Sequence, residues 1–102
     1  MSSEAGIELH LVSRLGDRRA WSHCRARAEA GARVEVVLLQ DAVLEQGLET
    51  AVAAWEGGPG REMVVLACAA DAMRRGVEER WALIDYAAII DRCAVASRVV
   101  SW

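Results

Sequence analysis

The chain contains no lysine, so its twelve basic residues are all arginine, and the formal net charge is −3. The arginines are spread from Arg14 to Arg98. Five of them form a modest cluster: Arg14, Arg18, Arg19, Arg25 and Arg27. Nucleic-acid-binding domains carry a more concentrated basic surface, so this distribution is more typical of a solvated helix face. We therefore expect no direct contact with nucleic acid.

Long apolar segments are also absent. The longest apolar runs, such as Val36 to Leu39 and Ala87 to Ile90, are far too short to cross a bilayer, so we expect no membrane partner. The first residues, Met1 to Glu4, lack the basic and apolar regions of a secretory signal, and a cytoplasmic location is the default expectation. With 102 residues, 54% hydrophobic and 26% charged, the chain is predicted to form a single domain over residues 1–102.

Cysteine-pairing motifs and cofactor-binding loops are missing as well. The three cysteines, Cys24, Cys68 and Cys93, form no C-x-x-C motif, which in a cytoplasmic chain favours free thiols over disulfides. Neither His10 nor His23 has a spacing to these cysteines that metal sites use. The sequence contains no G-x-G-x-x-G, no G-x-x-x-x-G-K-S/T and no G-x-S-x-G. We therefore expect no metal and no cofactor.

Strand-like and helix-like segments alternate along the chain. The predicted strands cover 7–12, 34–39, 62–67, 81–84 and 98–102. The first predicted helix runs from the N-cap Asp17 to about Ala30. The second has an apolar face that contains Val43 or Leu44, Leu48, Ala51, Val52 and Trp55. The third runs from residue 69 to Gly76, and the fourth begins at Asp85. Residues 57–60 are the clearest loop. This order predicts an α/β fold, a three-layer sandwich around a mainly parallel sheet of about five strands.

Helical spacing predicts which helix residues face the core. On the first helix the inward stripe contains Ala20, Trp21, Cys24 and Ala28. On the last helix it contains Ala87, Ile90, Cys93 and Ala94. Both stripes place a cysteine among apolar residues, where cysteine is usually inert. A structural role is the favoured interpretation for Cys24 and for Cys93.

Cys68 is the candidate with the clearest chemical use. In a parallel sheet the carboxyl ends of the strands share one edge, which usually carries function. That edge would gather Ser13, Gln40, Asp41, Cys68, Asp85 and Tyr86. A cysteine at a helix N-terminus has a lowered pKa, and its thiolate is reactive, although Asp71 in the first turn would use part of the favourable field. Burial among alanines would instead raise the pKa, so a reactive and an inert Cys68 both stay open.

Several short motifs, in order, resemble the TusB/DsrH family of sulfur-relay proteins. They are Leu9-His10-Leu11-Val12-Ser13-Arg14, Leu38-Leu39-Gln40-Asp41, Asp71 with Arg75-Gly76-Val77, Leu83-Ile84-Asp85-Tyr86 and Val100-Ser101-Trp102. One departure is Ala42, which stands where the family usually has glycine. Together the motifs cover nearly the whole chain. The resemblance implies the DsrE-like fold and a heterohexamer with two sister subunits, DsrE/DsrF-like or TusD/TusC-like.

The same resemblance implies a role for two cysteines. The segment from Cys68 to Val77 is similar to the sister DsrE/TusD subunit around its active cysteine, whereas TusB/DsrH-type subunits usually lack a cysteine there. Cys68 would then carry sulfur as a persulfide. Cys24 resembles a first-helix cysteine of some DsrH-type proteins. Members of the family exchange sulfur with donor and acceptor proteins, in thiolation of the tRNA wobble uridine or in sulfur oxidation.

Three functions remain open from the sequence. The first is a persulfide carrier or sulfurtransferase component that uses Cys68, acting with sister subunits or by self-association. The second is a non-catalytic assembly subunit of a sulfurtransferase complex, with exposed apolar surface around Trp81 and Trp102 as its interface. The third is a small-molecule-binding module that uses the same strand edge without sulfur chemistry.

Overall fold

A computed structural model describes residues 6–46 and 62–102 of the chain. The predicted helix through Leu48 and Trp55 and the predicted loop at 57–60 lie outside these residues. The described strands are β1 Ile7–Val12, β2 Arg33–Leu38, β3 Glu62–Cys68, β4 Leu83–Ile84 and β5 Arg98–Ser101. The described helices are α1 Arg18–Glu29, α2 Ala69–Arg74 and α3 Tyr86–Val95, with short 3-10 helices at Gln40–Leu44 and Glu78–Arg80.

The five strands form one sheet in the order β4-β3-β2-β1-β5. Every neighbouring pair is parallel, so all carboxyl ends lie at the same edge. Val36, Val37 and Leu38 of the central strand β2 are fully buried, as a near-continuous aliphatic run in a sheet covered on both faces requires. The predicted α/β sandwich with a parallel sheet of about five strands is confirmed.

Helix α1 begins and ends where its local signals predict. The Asp17 side chain accepts a hydrogen bond from the backbone N–H of Ala20, and Gly31 follows the helix with a φ of +103°, a conformation that glycine adopts without strain. The predicted inward stripe is confirmed at three positions, since Ala20, Cys24 and Ala28 are fully buried. Small side chains here let the helix lie close to the sheet.

Helix α3 presents a different face to the sheet from the predicted one. Ile89 is buried, whereas Ile90 is 67% exposed and Ala87 and Ala94 are also exposed. Only Cys93 of the predicted inward residues packs against the core. The helix is apolar on most of its circumference, so spacing alone allowed more than one stripe. The assignment of Ala87, Ile90 and Ala94 to the core was therefore wrong.

The two faces of the sheet carry separate apolar clusters. One face is covered by α1, α2 and the first 3-10 helix, and its cluster includes Cys24 and Ala72. The opposite face is covered by α3, and its cluster consists of Leu9, Val37, Cys68, Ile84 and Ile89 with partly buried neighbours. Helices that leave the neighbouring strands β3 and β4 therefore pack on opposite faces. In parallel α/β sheets such a switch in direction opens a crevice at the carboxyl ends of the two strands.

Candidate functional site

Cys68 lies at the switch between β3 and β4. It is the last residue of β3 and lies beside Ile84, the last residue of β4, in the parallel ladder. The backbone then turns into α2 on one face, while Asp85 begins α3 on the other by accepting a hydrogen bond from Ala88 N–H. The fold thus brings Cys68, Asp85 and Tyr86 together at the edge where the sequence predicted them.

The Cys68 side chain points to the α3 face of the sheet. It is fully buried and packs with Leu9, Val37, Ile84 and Ile89. Although Cys68 is the N-cap residue of α2, its side chain forms no capping hydrogen bond with the first turn. The surroundings of the sulfur are therefore determined by residues on the α3 side of the sheet, and the six-residue α2 contributes no side-chain cap there.

Tyr86, the first residue of α3, is the polar neighbour of this thiol. The pKa of the Tyr86 hydroxyl is raised above 10.0, first through a side-chain hydrogen bond with Cys68 and then by the charges of Cys68 and Asp71. The phenol therefore stays protonated at neutral pH and is available as a donor to the sulfur. Since 54% of Tyr86 is exposed, this residue lies between the buried thiol and solvent.

A buried carboxylate connects two of the motifs that surround Cys68. Asp71 is 2% exposed, and its Oδ2 accepts a hydrogen bond from the backbone N–H of Gln40 at 2.8 Å. Its Oδ1 lies 3.3 Å from Arg74 Nη1, and Arg75 donates two hydrogen bonds to Asp41 Oδ1. Asp71 thus links the turn after β2 to α2.

That turn contains an unusual backbone conformation. Gln40 has a φ of +50°, in the left-handed region that non-glycine residues rarely adopt. The hydrogen bond from its N–H to Asp71 compensates for part of the strain. The Gln40 side chain is exposed at the carboxyl edge of the sheet.

Cys24 lies on the other face and in a different environment. It is fully buried beneath α1, and burial, followed by the negative charge of Glu8, raises the pKa of its thiol to about 12. A thiol with that pKa is almost entirely protonated at neutral pH and is a poor nucleophile. The structure does not bring Cys24 to the carboxyl edge with Cys68.

Cys93 and the two candidate interface tryptophans are each held by the fold. Cys93 is partly buried under α3. Trp81 and Trp102 both pack against the α1-side cluster, and their indole N–H groups donate to Val43 O and to His10 Nδ1. Both are only partly buried, so the interface around these tryptophans stays a prediction. The large exposed apolar side chains of the described residues include Tyr86, Ile90, Val95 and Val99.

Strand β1 carries a buried polar group that was not predicted from the sequence. His10 is fully buried, its Nδ1 accepts the Trp102 indole N–H at 3.1 Å, and its Nε2 lies 3.6 Å from Glu8 Oε1. Glu8 in turn accepts a hydrogen bond from Arg27 Nε at 3.0 Å. Arg27 lowers the pKa of Glu8, whereas burial lowers the pKa of His10. The alternation of Ile7, Glu8, Leu9 and His10 already places both polar side chains on one face of the strand.

The described residues lack a metal-binding cluster and a membrane-spanning helix. Within 6–46 and 62–102, no three His, Cys, Asp or Glu side chains form a group able to hold a metal ion. In the same residues, no helix combines the length and the apolar character that crossing a membrane needs. Comparison of the whole chain with family models, with curated proteins and with solved structures found no match in any of the three.

Proposed function

We propose that this protein accepts sulfane sulfur as a persulfide on Cys68 and passes it to a thiol of a partner protein. The observation that carries the proposal is the position of Cys68 at the β3–β4 switch, where Asp85 and Tyr86 begin the helix that covers it. The motifs that resemble the TusB/DsrH family support it, because the polar contacts of Gln40, Asp41, Asp71 and Arg75 lie at the same carboxyl edge of the sheet.

The proposed transfer is a thiol exchange with no net change in oxidation state. Cys68 loses its proton, and the thiolate Sγ attacks the outer sulfur of a donor persulfide. A new S–S bond forms on Cys68, the S–S bond of the donor breaks, and the donor sulfur leaves with the electron pair and takes up a proton. Cys68 then holds the outer sulfur, and an acceptor thiolate removes it by the same step in the next transfer.

Tyr86 acts in this proposal as a positioning residue. Its hydroxyl stays protonated and would donate a hydrogen bond to the Cys68 sulfur during the attack on the donor. The sulfur is fully buried, so a donor reaches it only after covering side chains move aside. Tyr86 is half exposed and sits in the first turn of α3, where the helix itself need not unfold for this movement.

The direct test is persulfide formation followed by intact mass. The protein is mixed with a sulfane-sulfur donor such as glutathione persulfide, and the gain of one sulfur atom is measured over time. We expect the Cys24→Ser/Cys93→Ser double variant to label like the parent and Cys68→Ser to lose the label. Equal labelling of the parent and Cys68→Ser would rule out the role of Cys68.

A Tyr86→Phe variant tests the positioning role separately. Loss of the donor hydroxyl removes a hydrogen bond to the sulfur that attacks the donor, so the rate of labelling at neutral pH falls about tenfold. Tyr86→Ala removes the same hydroxyl together with the ring and should slow labelling at least as much. An unchanged rate in Tyr86→Phe would contradict the positioning role.

A second candidate function has its own observation. Several large apolar side chains are exposed on or beside α3, among them Ile90 at 67%, Val95 at 79% and Val99 at 42%. A non-catalytic assembly subunit would cover them with a sister subunit. Full relay activity of Cys68→Ser together with loss of assembly in Ile90→Glu, in a complex rebuilt with such subunits, would favour this function over persulfide transfer.

A further inference from the structure

A cavity at another part of the carboxyl edge does not include Cys68 in its lining. Its volume is about 680 Å³, and it opens at the carboxyl ends of β1 and β5, beside the first turn of α1. Its lining includes Arg14, Arg18, Arg19, Asp17, Ser101 and Trp102. Known small-molecule sites have volumes in this range. The cavity is therefore large enough for an organic ligand.

Positive charge in this cavity is not neutralised by the described residues. The guanidinium groups of Arg14, Arg18 and Arg19 form no ion pair or hydrogen bond with another described residue. The one acidic side chain in the lining, Asp17, already accepts a hydrogen bond from Ala20 N–H. Positive side chains in the lining thus outnumber negative ones by three to one, which favours an anionic ligand. The first turn of α1 carries no acidic side chain, so the helix dipole adds to the same potential.

Trp102 gives the cavity a fixed aromatic wall. Its backbone N–H donates to Leu11 O at 2.8 Å, its carbonyl accepts the Ser13 hydroxyl at 3.1 Å, and its indole N–H donates to buried His10. The rings of His10 and His23 pack against the indole from the protein side. Trp102 lines the cavity, and these contacts fix the position of its indole before a ligand arrives. Such preorganisation reduces the entropy lost on binding.

We propose that this cavity binds a nucleoside monophosphate, with the phosphate dianion held by Arg14, Arg18 and Arg19 and the base lying against Trp102. Guanidinium groups bind phosphate oxygens through charge-assisted hydrogen bonds. A base stacked on an aromatic side chain adds affinity that inorganic phosphate lacks. The site is separate from Cys68 at the β3–β4 switch, and the proposal does not rest on persulfide transfer.

The test is calorimetric titration of the full chain with AMP, adenosine and inorganic phosphate at low ionic strength. We expect AMP to bind more tightly than either adenosine or phosphate, and its affinity to fall as salt is added. The Arg14→Gln/Arg18→Gln double variant should weaken AMP binding at least about tenfold, the loss expected for removed charge-assisted hydrogen bonds. Cys68→Ser should bind AMP like the parent.

The matched control is Arg25→Gln, an exposed arginine on the same helix that does not line this cavity. It should leave AMP affinity unchanged, and circular dichroism should show that all variants are folded. Three results would each overturn the proposal: no AMP binding at millimolar concentration, AMP binding no tighter than that of phosphate, or equal weakening by Arg25→Gln and the double variant.

Discussion

Two thiols of this protein are fully buried, one on each face of the same sheet, and they differ in what surrounds them. Cys24 lies beneath α1, where burial and then the carboxylate of Glu8 raise the pKa of its thiol to about 12. Cys68 lies beneath α3 in an apolar cluster, with the protonated phenol of Tyr86 as a polar neighbour. The comparison teaches that two fully buried cysteines of one sheet can have polar neighbours of opposite kind, a carboxylate beside one and a hydrogen-bond donor beside the other.

The contrast extends to the faces themselves. The buried polar and charged side chains of the described residues, Glu8, His10 and Asp71, belong to the side that carries α1 and α2. The α3 side is apolar at its centre, and an ion pair from Arg92 to Glu35 of β2 lies beside this apolar cluster. The first face is stabilised by several buried polar groups, whereas among the described residues the second has this one ion pair and leaves large apolar side chains of α3 exposed.

The largest expected effect is on alkylation of Cys24. Its pKa is raised from 9.0 to about 12, so the thiolate fraction at neutral pH is about a thousandfold lower in the folded protein than in the denatured chain. Iodoacetamide should modify Cys24 correspondingly more slowly in the folded state, as mass spectrometry of a Cys68→Ser/Cys93→Ser background would show. Glu8→Gln should speed the reaction. Equal rates in the folded and the denatured protein would contradict the raised pKa of Cys24 and with it the contrast between the two thiols.

The α3 face is tested by two neighbouring isoleucines. Ile89 is buried against the sheet and Ile90 is exposed, so Ile89→Ala should lower the free energy of unfolding by about 3 kcal/mol and Ile90→Ala by less than about 0.5 kcal/mol. Urea denaturation of both variants measures the difference. A larger loss for Ile90→Ala would show that Ile90 faces the core, as expected from the sequence, and that α3 is rotated relative to the orientation described above.

The α1 side is tested at Asp71. Asp71→Asn removes the charge that holds Arg74 and puts an amide where the Gln40 N–H needs an acceptor, so we expect a loss of about 2 kcal/mol in the free energy of unfolding. Asp91→Asn, at an exposed position on α3, is the matched control and should change stability little. Equal losses of stability in Asp71→Asn and Asp91→Asn would show that the buried contacts of Asp71 do not stabilise the α1 side more than an exposed carboxylate stabilises the α3 side.

The smallest expected effect is the pH dependence of stability from His10. Burial lowers the pKa of His10 below 6.5 in the folded protein, with Glu8 opposing the shift and His23 and Arg98 adding to it. As the pH falls, His10 therefore takes up a proton at a higher pH in the unfolded chain than in the folded protein. Stability is complete above pH 6.5 and falls as the pH drops toward the folded-state pKa, by up to about 1.4 kcal/mol per pH unit.

His10→Asn keeps an acceptor near the position of Nδ1 for the Trp102 indole but does not titrate. Urea midpoints measured between neutral and mildly acidic pH should fall less in this variant than in the parent. Glu8 acts in a separate window, because its lowered pKa gives stability that is present above pH 4.5 and lost only in stronger acid. An equal acid response of parent and His10→Asn would assign the effect to other groups.

Local signals in the sequence were sufficient for the fold. The cap at Asp17, the glycine at Gly31 and the aliphatic run of β2 each depend on neighbours in the chain, and the five predicted strands and the helices predicted within the described residues are present. The position of Cys68 at the carboxyl edge followed from the parallel order of strands. What spacing alone could not select was the inward face of α3, since apolar residues occupy most of it.

Partners distant in sequence were not predictable in the same way. Trp102 donates to His10 across 92 residues, and Arg27 reaches Glu8 across 19. The sequence shows that Glu8 and His10 share a face of β1, but it does not show which side chains meet them there. The position of Tyr86 beside Cys68 is likewise set by the packing of α3, which local propensity does not specify.

The left-handed backbone at Gln40 has a practical use for protein engineering. A glycine there would relieve roughly 1–2 kcal/mol of backbone strain, but it would also give the unfolded chain about 0.4–1 kcal/mol of extra entropy. The two effects oppose each other, so Gln40→Gly should fold with a stability close to that of the parent. Residue 40 thus offers a place where side-chain chemistry at the working edge of the sheet can be exchanged while the scaffold stays intact.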